Sequence, residues 1–289
     1  MSAKHPIIAV TGSSGAGTST VRNVFERMFR RENVKAAIVE GDSFHRYGRG
    51  ALQRLNAERA ERGEKPLSLF GPETNHFEDL ETLFCTYGKT GQGRRRRYLH
   101  DEKEAQPFGQ PPGTFTPWED LPRETDLLFY EGLHGAVRTE AVDVARYPDL
   151  LIGVVPVVNL EWIQKIHRDT TRRGYSREMV MQVILDRMPD YVHYIVPQFG
   201  LTHINFQRVP IVDTSNPFIA RDIPGSGESL VVIRFSNPRG VDFPYLLSMI
   251  RGAFMSRANT IVIPGDRQDL AMQLILTPLV WRLMARRQD

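Results

Sequence analysis

At 289 residues the chain is long enough to bury a substantial core, and a make-up of 41% hydrophobic and 25% charged residues is that of an ordinary globular protein. The formal net charge of +3 suits a protein that handles anions but is too small to argue for a nucleic-acid partner. No apolar run approaches the roughly 20 residues that a bilayer span needs. The single cysteine, Cys85, leaves no intrachain disulfide. A reducing, cytoplasmic setting is therefore expected, with no membrane partner.

The first residues, MSAKHPIIAV, carry no signal-peptide core and lead straight into an apolar stretch. From there, short β-rich runs alternate with amphipathic segments. That pattern predicts an α/β fold on a mostly parallel sheet, with helices on both faces. The expected strands are 7–11, 36–40, 127–131, 151–155 and 209–213, with 230–235 and 260–263 as antiparallel edge strands. Phe77, Leu80, Phe84 and Tyr87 have helical spacing, as do Val180, Ile184 and Met188. A C-terminal helix is expected over 267–287, kinked at Pro278. The prolines between 106 and 122 predict a surface loop over or beside the site. The dense basic run 94–97 reads as a solvated face. With no repeat and no linker, one domain over 1–289 is expected.

The first strand runs into Gly12, Ser13, Ser14, Gly15, Ala16, Gly17, Thr18, Ser19 and Thr20, just ahead of a helical pattern. Glycines there let backbone N–H groups converge on phosphate oxygens, and a helix N-terminus adds its positive end. The placement makes this a P-loop NTPase-type sheet and these residues the expected ATP-binding loop. Thr18 stands where the usual loop lysine belongs. Transfer of a γ-phosphoryl group spreads negative charge over three oxygens. Either another residue supplies the cation, then, or the loop binds no nucleotide. Ser19 keeps the hydroxyl that usually ligates Mg²⁺. Glu131, closing the apolar run in DLLFYEG, has the placement of a metal carboxylate, the alternative being a turn acid.

Asp42 follows the second strand in VEGDSFHR, at the end of an open α/β sheet where ligands bind. A carboxylate there can take the proton of an attacking hydroxyl. It is also a candidate metal ligand beside Ser19 and Glu131. If a helix starts here, His45 and Arg49 lie one and two turns further on and could hold a substrate phosphate. A helix-capping aspartate with surface basic neighbours is the alternative. On a later helix Lys165, Arg168, Asp169 and Arg172 share one face, with Arg173 at its margin. Four cations around one acid suit a doubly anionic pair of substrates better than they suit solvent.

That last segment, KIHRDTTRRGYSRE, matches position by position the phosphoribulokinase signature K-[LIVM]-x-R-D-x-x-x-R-G-x-[ST]-x-E, through Lys165, Ile166, Arg168, Asp169, Arg173, Gly174, Ser176 and Glu178. The stretches GSSGAGTS, EGDSFHR, LLFYEGLHG, VVNLEWIQKIHRD, INFQRVPIVDTSNPFIARDIP and NPRGVDFPYLL resemble the same family. The likeness covers nearly the whole chain. It implies transfer of the ATP γ-phosphoryl, with Mg²⁺, to the 1-hydroxyl of D-ribulose 5-phosphate. The product, ribulose 1,5-bisphosphate, is the CO₂ acceptor of the Calvin cycle.

By the same resemblance Asp42 is the base and Asp169 a second essential acid. His45, Arg49, Arg168 and Arg173 line the sugar-phosphate site, and Lys165 stands near the transferred phosphoryl, where it would replace the missing loop lysine. Tyr98 and His100, in RRYLHD, are further substrate-binding candidates. The family's bacterial branch also has threonine at the position of Thr18. Membership there implies NADH as activator, AMP as inhibitor and a large homo-oligomer. Among the basic residues, Arg187, Arg221, Arg234 and Arg257 could build an effector site, though nothing in their spacing selects them. A uridine kinase would share the loop, Asp42 and Glu131 but not the K-x-x-R-D-x-x-x-R-G run. A non-catalytic nucleotide-sensing module would gain nothing from three acids at an anion site.

Overall fold

The computed structural model describes residues 4–12 and 18–288, with the backbone alone at 18–20, 172–173 and 288. Expected phosphate-loop residues 13–17 lie outside the described residues. Strand β1 (Ile7–Gly12) is followed by helix α1 (Thr18–Arg31), strand β2 (Ala36–Glu40), and helices α2 (Arg49–Glu61) and α3 (Phe77–Thr90). Short strands β3 (Arg94–Arg95) and β4 (Glu119–Asp120) pair antiparallel, with helix α4 (Glu102–Ala105) in the connection between them. Next come β5 (Leu127–Gly132), β6 (Leu150–Val155) and a hairpin of α5 (Val158–Arg173) and α6 (Arg177–Asp190). The remaining elements are β7 (Ile204–Pro210), β8 (Ser229–Phe235), α7 (Phe243–Met249), β9 (Phe254–Arg257), β10 (Thr260–Pro264) and α8 (Gln268–Gln288).

The main sheet has the order β2-β5-β1-β6-β7-β8-β10-β9. The five strands from β2 to β7 are parallel, and the last three add antiparallel. Every residue of β1 is buried, which is why it reads as an unbroken apolar run. Alternate side chains enter opposite cores. Ile8 and Val10 pack with Val21, Val24 and Phe25 of α1 and with Met272 and Leu276 of α8. Ile7 and Ala9 pack with Leu80, Phe84 and Tyr87 of α3. Phe25, Phe29 and Phe129 pin α1 to the sheet, with ring centres 4.8–5.6 Å apart; each such ring contributes roughly 1.5–3 kcal/mol by burial.

The α5–α6 hairpin has its own small cluster of Ile166, Val180 and Ile184, flanked by Trp162 and Phe218, which stack at 5.2 Å. The signature residues around its turn have a backbone reason. Gly174 ends α5 at φ 70°, a left-handed conformation that glycine adopts without strain. Ser176 then opens α6 by accepting the Met179 N–H at 3.2 Å.

Two expectations need correction. Strand β7 begins at Ile204, not at 209: Ile211 and Val212 lie past its end and are 61% and 41% exposed. The expected C-terminal helix is α8, which contains Pro278. The loop 106–122 is more ordered than a bare surface loop, containing the single turn Gln106–Phe108 and strand β4. It does stand beside the site, bonding Leu99 N–H to Thr114 C=O at 2.9 Å and Gly113 N–H to Leu99 C=O at 2.6 Å. Among the described residues no helix is long and apolar enough to cross a membrane.

Candidate active site

Three neighbouring parallel strands end at one edge of the sheet. Val10 and Glu40 both register with Glu131, and Thr11 registers with Gly132. The start of the phosphate loop, the Glu131 carboxylate and the turn carrying Asp42 therefore open side by side, at the C-terminal edge where α/β sheets bind ligands. Gly41 and Gly132 permit the approach. A Cβ on Gly41 would stand 2.8 Å from Gly132 Cα, and one on Gly132 would stand 2.6 Å from Gly41 Cα. Glu40 is neutralised by Arg22 of α1, which also holds Glu26 at 2.8 Å.

Asp42 lies in a single tight turn, Gly41–Phe44. No continuous helix carries Asp42, His45 and Arg49 as expected: the backbone is extended at His45, and α2 starts only at Arg49. The acid and the histidine nevertheless meet, with His45 Nε2 3.2 Å from Asp42 Oδ1. His100 Nε2 lies 3.8 Å from Asp42 Oδ2. Tyr98 packs edge-on against both histidine rings, at 6.3 Å from His45 and 4.9 Å from His100.

The hydrogen bonds decide the state of the pair. Asn75, fully buried, donates its amide to the carbonyls of Leu69 at 3.0 Å and Gly71 at 2.7 Å. Its Oδ1 must then be the acceptor facing His45 Nδ1 at 2.7 Å, so Nδ1 carries a proton. A neutral ring would turn a bare Nε2 lone pair toward the Asp42 carboxylate. Protonated Nε2 removes that conflict. Burial alone would push Asp42 up, but the charge and hydrogen bond of His45, then His100, hold it at about 2. Burial pulls His45 down, and Asp42 with the bond to Asn75 outweighs it and raises the imidazole. The result is an ionised carboxylate, 36% exposed, at the C-terminal edge of the sheet.

The basic run is not a solvated face throughout. Arg94 and Arg97 are exposed, but Arg95 and Arg96 turn inward. Arg95 bonds the Ile38 carbonyl in β2 and Glu119, and Arg96 donates to the carbonyls of Ser43 and His45. Arg49 is exposed; its Nη2 donates to the His100 carbonyl at 2.8 Å, and its N–H to the Gly113 carbonyl at 2.8 Å. Gly113, at φ 84°, leaves the room that Arg49 occupies.

A second charged group stands on α5. Lys165 Nζ reaches Asp169 Oδ2 at 2.6 Å, and Arg168 Nε reaches Oδ1 at 2.9 Å. Burial pushes the Asp169 carboxyl up, and these cations bring it below its ordinary range. Burial, assisted by Arg187 and Arg168, holds Lys165 below its usual value despite Asp169. Arg187 of α6 thus belongs to this group, whereas Arg221, Arg234 and Arg257 are exposed. Arg173 closes α5, with its side chain outside the described residues, as are those of Thr18, Ser19 and Thr20.

Sequence reasoning missed three supports. Asn75 and Arg96 fix His45 and the Asp42 turn. Buried Gln198 ties the end of β1 to the segment after β5, accepting from Thr11 Oγ1 at 2.9 Å and donating to the Leu133 carbonyl at 2.9 Å. Only Arg96 had a signal, the basic run itself. Among the described residues no group of three metal-binding side chains gathers.

Known proteins match over the whole of this arrangement. The sequence model of the phosphoribulokinase/uridine kinase family fits residues 7–215. The plasmid-encoded phosphoribulokinase of Cupriavidus necator is 64% identical over 288 residues, spanning 100% of this chain and 99% of that protein. The phosphoribulokinase of Nitrobacter vulgaris is 64% identical over 285 residues, spanning 99% of this chain and 98% of that protein. A solved structure of phosphoribulokinase from Rhodobacter spheroides superposes with a TM-score of 0.92 at 58% identity, covering 100% of both chains. With the family model fitting most of its length and full-length relatives 64% identical, the chain belongs to the phosphoribulokinase/uridine kinase family.

Proposed function

We propose that this chain transfers the γ-phosphoryl group of ATP to O1 of D-ribulose 5-phosphate, with Asp42 as general base, giving ribulose 1,5-bisphosphate and ADP for the Calvin cycle. The observation that carries the reading is the Asp42 carboxylate, held ionised by His45 at the edge where Glu131 and the end of β1 stand side by side. A substrate hydroxyl bonded to Asp42 gives up its proton to that carboxylate as its oxygen attacks the γ-phosphorus. The bond from the γ-phosphorus to the bridging oxygen breaks, and ADP leaves with the electron pair.

His45, Arg49, Tyr98, His100, Arg168 and Arg173 supply the donors and cations for the sugar phosphate. Ser19 and Glu131, with Asp42 at hand, would hold the Mg²⁺ that accompanies ATP; such an ion neutralises charge on the phosphate oxygens. Lys165 takes the place of the lysine that Thr18 displaces, exchanging Asp169 for the γ-phosphate, and Asp169 keeps it oriented until then. The resemblance to the bacterial branch supports one kinase domain over 1–289, working in the cytoplasm as a homo-oligomer that NADH activates and AMP inhibits.

The test follows ADP release from MgATP with ribulose 5-phosphate, with uridine in parallel, each with and without NADH. Turnover on the sugar phosphate alone is expected, faster with NADH. Turnover on uridine alone would move the chain to the other half of the family.

A further inference from the structure

The basic run 94–97 has no place in the reaction as described, yet its third arginine grips the turn that carries Asp42. One tight turn leaves the carbonyls behind it without helical partners, because the backbone becomes extended at His45. Each is satisfied from outside. The Phe44 carbonyl accepts the His76 N–H at 2.8 Å. The Ser43 carbonyl accepts Arg96 Nε at 2.8 Å, and the His45 carbonyl accepts Arg96 Nη2 at 2.5 Å.

The guanidinium is itself fixed. Its central carbon lies 3.8 Å from the centre of the Phe115 ring and 5.0 Å from that of Trp118, and Trp118 meets Phe44 edge-on at 5.8 Å. Arg96 therefore closes a ring of contacts from the 94–118 segment to the residues flanking Phe44. Tyr98, two residues along, faces the His45 ring from the same side.

We propose that Arg96 is a positioning residue for phosphoryl transfer: its fork onto the Ser43 and His45 carbonyls sets where the Asp42 carboxylate and the His45 ring stand at the sheet edge. The inference rests on the phosphoribulokinase reading of that edge. Arg96 acts through the backbone and touches no reacting atom. Charge alone does not suffice, since an ammonium cannot fork onto two carbonyls while lying flat on an aromatic ring. A displacement of about 1 Å in a base of this kind costs on the order of 10² in rate.

The test compares Arg96→Met and Arg96→Lys with the wild type, and with Arg94→Ala as a control at an exposed neighbour. ADP release is measured with each substrate varied and expressed per ATP-binding site, alongside the melting temperature. Arg96→Met is expected to lose about 10² in kcat and Arg96→Lys about tenfold, with KM for ATP within about twofold and Arg94→Ala unchanged. A merely structural arginine would lower the melting temperature or the number of binding sites while kcat per site stayed at the wild-type level, and that result overturns the proposal. Should Arg96→Met not fold, Arg96→Lys decides on the same criterion. A wild type inactive on ribulose 5-phosphate would reject the functional reading as well. An active wild type beside unimpaired Arg96 variants rejects the positioning role alone.

Discussion

Asp42 and Asp169 are both carboxylates that cations hold ionised, but they stand on different supports. Asp42 sits on a turn whose neighbour Phe44 is buried in the core on the α3 face, and long-range bonds to Arg96, His76 and the Thr74 carbonyl fix the backbone around it. Its partners are imidazoles. Asp169 sits within α5, paired with Lys165 one turn away and with the adjacent Arg168. Its hairpin rests on a separate small cluster. Among the described residues, Gln53 bonds the Tyr175 hydroxyl at 3.3 Å and Ser68 bonds Asp190 at 2.5 Å, tying that hairpin to α2 and the segment after it. On the proposed assignment the difference is a division of labour: proton removal, which needs fixed geometry, falls to the sheet edge, and the charge of the transferred group is met from a helix with its own small cluster.

The sharpest way to break this comparison is to remove the base. Asp42→Asn is expected to lower kcat by about 10³–10⁴ with ATP binding nearly intact, read by ADP release and nucleotide titration. A loss below tenfold would place the base elsewhere. Lys165→Met comes next, with an expected loss of about 10²–10³ in kcat, the effect of removing a preorganised charge. Near wild-type turnover in that variant would leave the Thr18 substitution without its replacement cation.

The fold was legible where strands are buried on both faces. Runs such as IIAV and LLFY could only be central strands, and the structure has them there. Strand β7 was misplaced because it borders the antiparallel strands and alternates, with Ile204 and Phe206 in the core and Asn205 bonded to Thr202 at 2.6 Å. The apolar pair Ile211–Val212 beyond it imitates a strand but lies exposed. At the site, Asp42, His45 and the α5 cations were legible because each lies within one local motif. Asn75 and Gln198 were not, since their meaning comes from partners 30 and 187 residues away. In the basic run, residue type gave the charge but not the direction each arginine faces.

The smallest expected effect distinguishes the two carboxylates by the nature of their partners. Asp42 has its carboxyl lowered from 3.8 to about 2, so its contribution to stability is present above the unfolded value and lost as pH falls toward about 2. His45 is raised from 6.5, so its contribution is complete below that value and fades as pH rises through the higher folded one. The pair therefore stabilises most between roughly pH 4 and 6.5. Asp169 is lowered too, by the Lys165 ammonium and then the Arg168 guanidinium, with no imidazole among its partners. Melting temperatures of wild type, His45→Gln and Asp169→Asn, followed from about pH 5.5 to about pH 8, should separate the cases. The gap between wild type and His45→Gln should narrow as pH rises, while the gap to Asp169→Asn stays level. A His45→Gln gap that did not change with pH would mean the imidazole titrates alike folded and unfolded, and one that widened would mean it is neutral in the fold; either result would require the ion pair assigned to Asp42 to be abandoned.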